Sequence, residues 1–276
     1  TFFTTKERII PKPEQKSSIR EDLTDLLKNK PWLIMLVLTT LTFITLAMKG
    51  GSYVYYFQNF VDKNSLTDFI SPILESLSNI GVNFFGNDPV SAGFGLFNAG
   101  GIVFMILGIG LSKRLADSYG KRNIFGIFLF ISTLFILCFY FFSPNSIGLM
   151  FLAQIFHGFF YGITIPLLWA MIADVADYSE WKTNRRATAI IFSAMMVGLK
   201  LGLTIGGAFV TSILGYYGYI PNSESGQTEI AIQGTKMLVS IYPSIPFLIG
   251  CCLLFFYEIN KNMEVQIESE LKQRRI

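Results

Sequence analysis

The reading of this chain is decided by residues 147–213: IGLMFLAQIFHGFFYGITIPLLWAMIA (147–173), DVADYSEWKTNRR (174–186) and ATAIIFSAMMVGLKLGLTIGGAFVTSI (187–213). Two apolar stretches flank a charged turn. Each exceeds the ~20 residues that a helix needs to cross a bilayer. Both carry polar groups at depths where such groups are costly. On the first, Gln154, His157, Tyr161 and Thr164 recur at spacings of three, four and three, which puts them on one helical face. On the second, Ser193, Lys200, Thr204 and Thr211 fall roughly along one face. The helices run in opposite directions, so the spacing predicts His157 and Lys200 at similar depth, beside a polar seam that could pass a solute.

Working outward, four further apolar stretches are legible: Trp32–Phe57, Ala92–Leu111, Ile124–Phe142 and Met237–Tyr257. With Ile147–Ala173 and Ala187–Ile213 they predict an all-α membrane protein of six transmembrane helices, its bundle spanning 32–257. Residues 1–31 read as a cytoplasmic segment ending in a short amphipathic helix, 61–89 as an extracytoplasmic insert with an interfacial helix near Leu66–Ile80, and 258–276 as a charged, helical cytoplasmic tail. Composition agrees: 51% of the 276 residues are hydrophobic and 15% charged, with a mean hydropathy of +0.48. That balance excludes an ordinary soluble domain. The three cysteines, Cys138, Cys251 and Cys252, all lie in apolar stretches, where small buried hydrophobes are expected rather than a disulfide or metal site.

Charge placement gives the orientation. Of the 22 Lys and Arg, eighteen fall in residues 1–31, 113–122, 174–186 and the tail. The alternate loops hold Lys63 and Lys236, and Lys49 and Lys200 lie within spans. Basic residues accumulate on the cytoplasmic side, so both termini are expected there, in a multi-pass protein of the plasma or inner membrane. The first residue is Thr1, not Met, which suggests a fragment of a longer chain.

Lys200 is the sharpest residue. It sits about thirteen residues into its span, too deep to snorkel easily. No span offers a mid-depth Asp or Glu, so its counterpart is solute, water or another part of the protein. Gly198, Gly202 and Gly206, with Ala194, put a small residue at every fourth position, a face suited to close helix packing. Lys200 and Thr204 point elsewhere. Lys49 shares a face with Thr42, Thr45, Tyr53 and Tyr56, and reads equally as a cavity residue or as one that snorkels to the outer interface. His157, the one histidine, has no ligand set for a metal. It suits a hydrogen bond to solute or a proton relay, and suits a helix–helix contact as well. Gln154 and Tyr161 beside it offer the mixed donors, acceptors and flat apolar face that sugars need. The basic turns, with Asp117 and Arg122 in one and Asp174, Asp177, Arg185 and Arg186 in the other, read either as cytoplasmic gates or as solvated loop ends. No nucleophile elbow, zinc-protease motif or phosphate loop is present, so an enzyme is not expected. The basic loops lack the aromatic interleaving of a nucleic-acid surface.

The segment IPLLWAMIADVADYSEWKTNRRA (165–187), the lysine-bearing helix after it, GGA (206–208) and GYYGYIPN (215–222) resemble the glycoside–pentoside–hexuronide:cation symporters, melibiose-carrier-like members of the major facilitator superfamily. TTKERIIP, EDLTDLLKNKPWLIM, MKGGSYVYYFQNFV and KRLADSYGKRNIF extend the resemblance over nearly the whole chain. It implies helices seven to twelve of a twelve-helix transporter, with Lys200 at the position of a lysine that faces the sugar. It also implies a sugar or glycoside carried with sodium or a proton, and a partnering N-terminal six-helix half that holds most of the cation site. This chain itself would hold no other cofactor. Asn184 departs from the glycine of many members, and the insert at 61–89 is longer than usual. Two other readings stay open: a superfamily transporter of an organic anion or amphiphile, and a membrane sensor or scaffold that binds solute without moving it.

Overall fold

The computed structural model describes residues 19–82, 88–184, 188–221, 223 and 226–274. Their secondary structure is helical throughout: α1 (Ile19–Lys28), α2 (Lys30–Asn59), α3 (Lys63–Asn79), α4 (Pro89–Tyr119), α5 (Lys121–Cys138), α6 (Ile147–Thr183), α7 (Thr188–Tyr216), α8 (Glu229–Val239), α9 (Ile241–Leu253) and α10 (Lys261–Arg274). Among the described residues six helical segments are long and apolar enough to span a membrane: Lys30–Asn59, Pro89–Tyr119, Lys121–Phe141, Ile147–Thr183, Thr188–Tyr216 and Glu229–Phe256.

Short polar side chains set the helix starts. Asn29 accepts from the Trp32 amide, with Pro31 in the first turn of α2. Asp62 and Asp88 do the same for Ser65 and Ser91, each at 2.8 Å. These are N-caps, which satisfy amides that a helix leaves unpaired. Several helix ends take a positive φ. Gly120 (φ 85) turns α4 into α5, and Asn184 (φ 56) closes α6. Asparagine tolerates the left-handed region better than most residues, so the departure from glycine at 184 preserves the turn.

Packing follows the small residues. α7 lies chiefly against α2. A Cβ at Gly202 or Gly206 would press on the Thr40 or Ile44 carbonyl, and one at Gly198 would come within 2.9 Å of Leu36. The expected close-packing face of α7 is therefore real, and α2 fills it. A second crossing of this kind joins α4 and α6: side chains at Gly158, Gly162 or Gly108 would collide with the carbonyls of Gly101, Met105 or Phe159. Removing side chains at a crossing lets two backbones approach and gain dispersion contacts, the main attraction available in lipid. α5 and α9 lie between these pairs, packing on α6 and α2 respectively and on each other. α4 and α7 thus stand at opposite ends of the arrangement, with α2 and α6 inside it.

The last span is broken. α8 and α9 meet at Ser240 (φ −121, ψ −78), three residues before Pro243, with Pro246 inside α9. Neither proline can donate to the helix ladder. Side chains of α2 satisfy carbonyls at the break: Ser52 donates to Leu238 at 3.2 Å, and Thr45 to Pro243 at 2.8 Å. This is how irregular backbone is tolerated in a membrane interior. Of the cysteines, Cys138 and Cys251 are half-buried and Cys252 is exposed, so the buried places expected for them are not what they occupy. All three are free thiols on partly open helix faces.

Candidate solute-binding face

The two polar faces of the 147–213 hairpin part company. Gln154, His157 and Thr164 on α6 are buried, and Tyr161 is 8% exposed. Ser193, Lys200, Thr204 and Thr211 on α7 are all exposed. The expected seam between the two helices does not form within this chain. The reason is the glycine face: by docking on α2, Gly198, Gly202 and Gly206 turn Lys200 to the opposite side of α7. Thr204 gives its hydroxyl to the Lys200 carbonyl at 2.9 Å, leaving lone pairs for another donor.

The α6 face meets α2 instead. The Tyr53 hydroxyl donates to Gln154 Oε1 at 3.4 Å. Tyr53 stacks edge-on with Phe97 of α4, centroids 5.0 Å apart. Lys49, one turn earlier, lies over the Tyr53 ring with its nitrogen 5.4 Å from the centroid, a cation–π arrangement. Its side chain is buried, at 6% exposed, so it lies inside the protein and does not snorkel to the outer interface. His157 Nδ1 is 3.0 Å from the Ser132 carbonyl of α5. A carbonyl only accepts, so Nδ1 carries the proton and Nε2 of the neutral ring keeps its lone pair. The helix–helix contact expected as one alternative for His157 is present, and it leaves the second nitrogen for another partner. The ring also stacks on Tyr161, centroids 5.8 Å apart, and Tyr161 in turn on Phe247. Sequence spacing missed Tyr53 as a bridge, although its place one turn from Lys49 and its alternating aromatic neighbours signal it.

The charged turns gather around α10. Lys121 pairs with Asp174 and, at 3.5 Å, with Glu264. Arg122 donates to the Tyr257 carbonyl at 2.8 Å. Lys261 reaches the Asp117 and Ser118 carbonyls, at 2.7 and 3.0 Å. The Trp181 indole donates to Glu270 at 2.6 Å, and Arg274 to Asn184 at 2.9 Å. The Trp181 indole, then the Gln266 amide, holds the Glu270 carboxyl below the usual glutamate range. Of the residues expected as gates, Asp174 and Arg122 are thus joined to neighbouring elements, and the Asp117 side chain is exposed. Asp177 also has a partner. Arg185 and Arg186 lie outside the described residues. Among the described residues no group of His, Cys, Asp or Glu is placed to hold a metal ion.

Residues 73–261 match the family described as MFS/sugar transport protein. The chain is 30% identical over 252 residues to the inner membrane symporter YicJ of Escherichia coli K12, covering 91% of this chain and 48% of YicJ. It is 27% identical over 275 residues to the putative glycoside/cation symporter YagG of the same strain, covering 99% and 54%. It is 29% identical over 156 residues to that strain's glucuronide carrier protein homolog, covering 56% and 34%. The chain spans about half the length of the first two. A family match over more than half the chain, on six helices able to span a bilayer, places it: the chain is a multi-pass membrane protein of the MFS/sugar transport protein family, among the glycoside–pentoside–hexuronide:cation symporters.

Proposed function

We propose that this chain is the C-terminal half of a secondary transporter that moves a sugar or glycoside with sodium or a proton by alternating access. The observation that carries the reading is the pair of lysines within spans, Lys49 enclosed and Lys200 on an open helix face, with no carboxylate inside any described span at their level. A cation in that position is expensive unless a cavity, water or solute receives it. The Gln154–His157–Tyr161 face supplies donors, acceptors and aromatic planes suited to sugar hydroxyls. Two relatives are named a glycoside/cation symporter and a glucuronide carrier homolog, which agrees with such a solute. The solute sits between this half and an N-terminal six-helix half, where most of the coupling-cation ligands lie. Both termini are cytoplasmic, and α3 lies on the outer side.

The test is uptake by the full-length protein in proteoliposomes. Accumulation of a labelled glycoside that collapses when the sodium or proton gradient is dissipated supports the reading. Binding without accumulation under either gradient replaces it with the sensor reading.

A further inference from the structure

A cavity of about 350 Å³ opens where α1, the start of α2, the end of α6 and Glu258 meet. It lies at the end of the bundle that carries the basic turns. Its Tyr178 wall is roughly 25 Å of helix rise beyond Tyr161, so it is apart from the Gln154–His157–Tyr161 face. Each of the three helices gives it one lysine: Lys28, Lys30 and Lys182. Among the described residues none of these three forms an ion pair. Lys182 rests on aromatic faces instead, its nitrogen 4.8 Å from the Trp181 ring centroid and 5.8 Å from that of Tyr178. The carboxylates of the cavity are already engaged. Asp25 has a partner of its own, and Glu258 faces the Tyr178 hydroxyl. Cations are left over here, and acids are not.

The floor offers a donor as well. Ser179 lines the cavity and is only 4% exposed. Thr183 donates to its carbonyl at 2.8 Å, while its own hydroxyl has no hydrogen-bond partner and is not sealed in. A buried hydroxyl without a partner is costly and calls for one. Asn29, which caps α2 through the Trp32 amide, also lines the cavity and brings the positive end of a 30-residue helix to it. Ammonium groups from three sides, a hydroxyl and a helix N-terminus converge on one space, which suits an anion with oxygens in several directions. A phosphate group has three such oxygens and a charge of about −1.5 to −2 at neutral pH.

We propose that this cavity binds a phosphate group, gripped by Lys28, Lys30 and Lys182 with Ser179 donating from the floor, and carried by a soluble phosphomonoester or by an anionic lipid headgroup. The site is separate from the solute path, and the proposal does not depend on what solute is moved. A bound phosphate ties α1 to α2 and α6 at that rim.

The experiment is binding by full-length protein purified free of anionic lipid, as wild type, Lys182→Gln, Ser179→Ala and Lys272→Gln. Lys272 is an exposed lysine of α10 outside the cavity. In the soluble arm, labelled inorganic phosphate and glycerol 3-phosphate are offered at constant ionic strength. In the lipid arm, nanodiscs of phosphatidylcholine alone are compared with nanodiscs that also hold phosphatidic acid, and retained lipid is counted by native mass spectrometry. The expected result is saturable binding in one arm, weakened by about tenfold or more in Lys182→Gln and in Ser179→Ala, the share of one charge-assisted hydrogen bond. Lys272→Gln should bind as wild type does. Ser179→Ala removes a hydroxyl that has no partner, so its ligand-free thermal midpoint should stay in place, which separates lost binding from lost fold. Saturation in the soluble arm assigns a free phosphomonoester, and saturation in the lipid arm alone assigns a headgroup. No saturable binding in either arm overturns the proposal. Binding that Lys182→Gln and Ser179→Ala leave within about twofold, or that Lys272→Gln weakens equally, overturns it too, the latter by reducing it to general charge attraction.

Discussion

Lys49 and Lys200 both lie within membrane spans, one buried and one exposed, and each carries a cost set by its depth along the helix. Depth within an apolar run marks Lys200 at once, because cost depends on position along the helix and position is countable. Lys49 lies nearer a helix end, where chemistry alone allows burial or escape to the interface. The structure shows it buried, its nitrogen over the ring of Tyr53, which itself meets Gln154 of α6 and Phe97 of α4. Periodicity supplies the face of a helix but not the neighbour that covers it. It placed the four polar groups of α6 together and the four of α7 together, and only tertiary packing shows that the two sets are separated. Lys200 is exposed and its substitution disturbs no described packing, so surface rules apply and stability should move by no more than ~0.5 kcal/mol. Lys200→Ala in the full-length protein should therefore lower solute uptake at least tenfold with expression and thermal midpoint unchanged. Normal uptake, measured by counterflow, would remove Lys200 from the path.

At the scale of elements the sequence was most informative. Six spans were legible because hydrophobic length is a direct requirement of the bilayer, and the small-residue run at 198, 202 and 206 was legible because its period matches a helix face. The α4–α6 crossing escaped notice, since Gly101 and Gly108 stand seven apart on one helix and Gly158 and Gly162 four apart on the other, and neither pattern alone names its mate. A methyl-bearing residue at such a point must push two backbones apart. Gly158→Val and Gly202→Val should each destabilise by ~2 kcal/mol or more, within the cost of overpacking a tight interior. Gly207→Ala, where nothing lies within 4 Å of the new atom, should be neutral. Thermal unfolding in detergent, followed by size-exclusion chromatography, ranks the three; equal midpoints would mean that these crossings carry no close-packing energy. Ser52 and Thr45 add a finer case. Pro243 and Pro246 mark a place where the last span can bend, but only the fold shows which hydroxyls of α2 answer the carbonyls that the break releases.

Across the whole molecule the prediction from charge is sidedness. Single cysteines in a background without Cys138, Cys251 and Cys252 should react with a membrane-impermeant maleimide from outside when placed at Gln227, and only after permeabilisation when placed at Glu268. The reverse pattern would invert the proposed orientation. The tie between α6 and α10 adds a pH dependence. Glu270 has a depressed pKa, so its contribution is complete above the ordinary glutamate value of about 4.3 and is lost as pH falls through the lower folded value. In a Trp32→Phe, Trp169→Phe background, Trp181 emission should shift only on acidification below about pH 4, and Glu270→Gln should abolish the shift; a flat emission in both would show that the bond is not made.

One short helix touches the ends of three others through Lys261, Glu264 and Glu270. Such a buckle at one rim leaves α4, α5 and α6 no freedom to slide past one another there. Whatever widens the interior must swing them together like a door on that rim, with the free edge at the far side, where α3 and the aromatic rings gather.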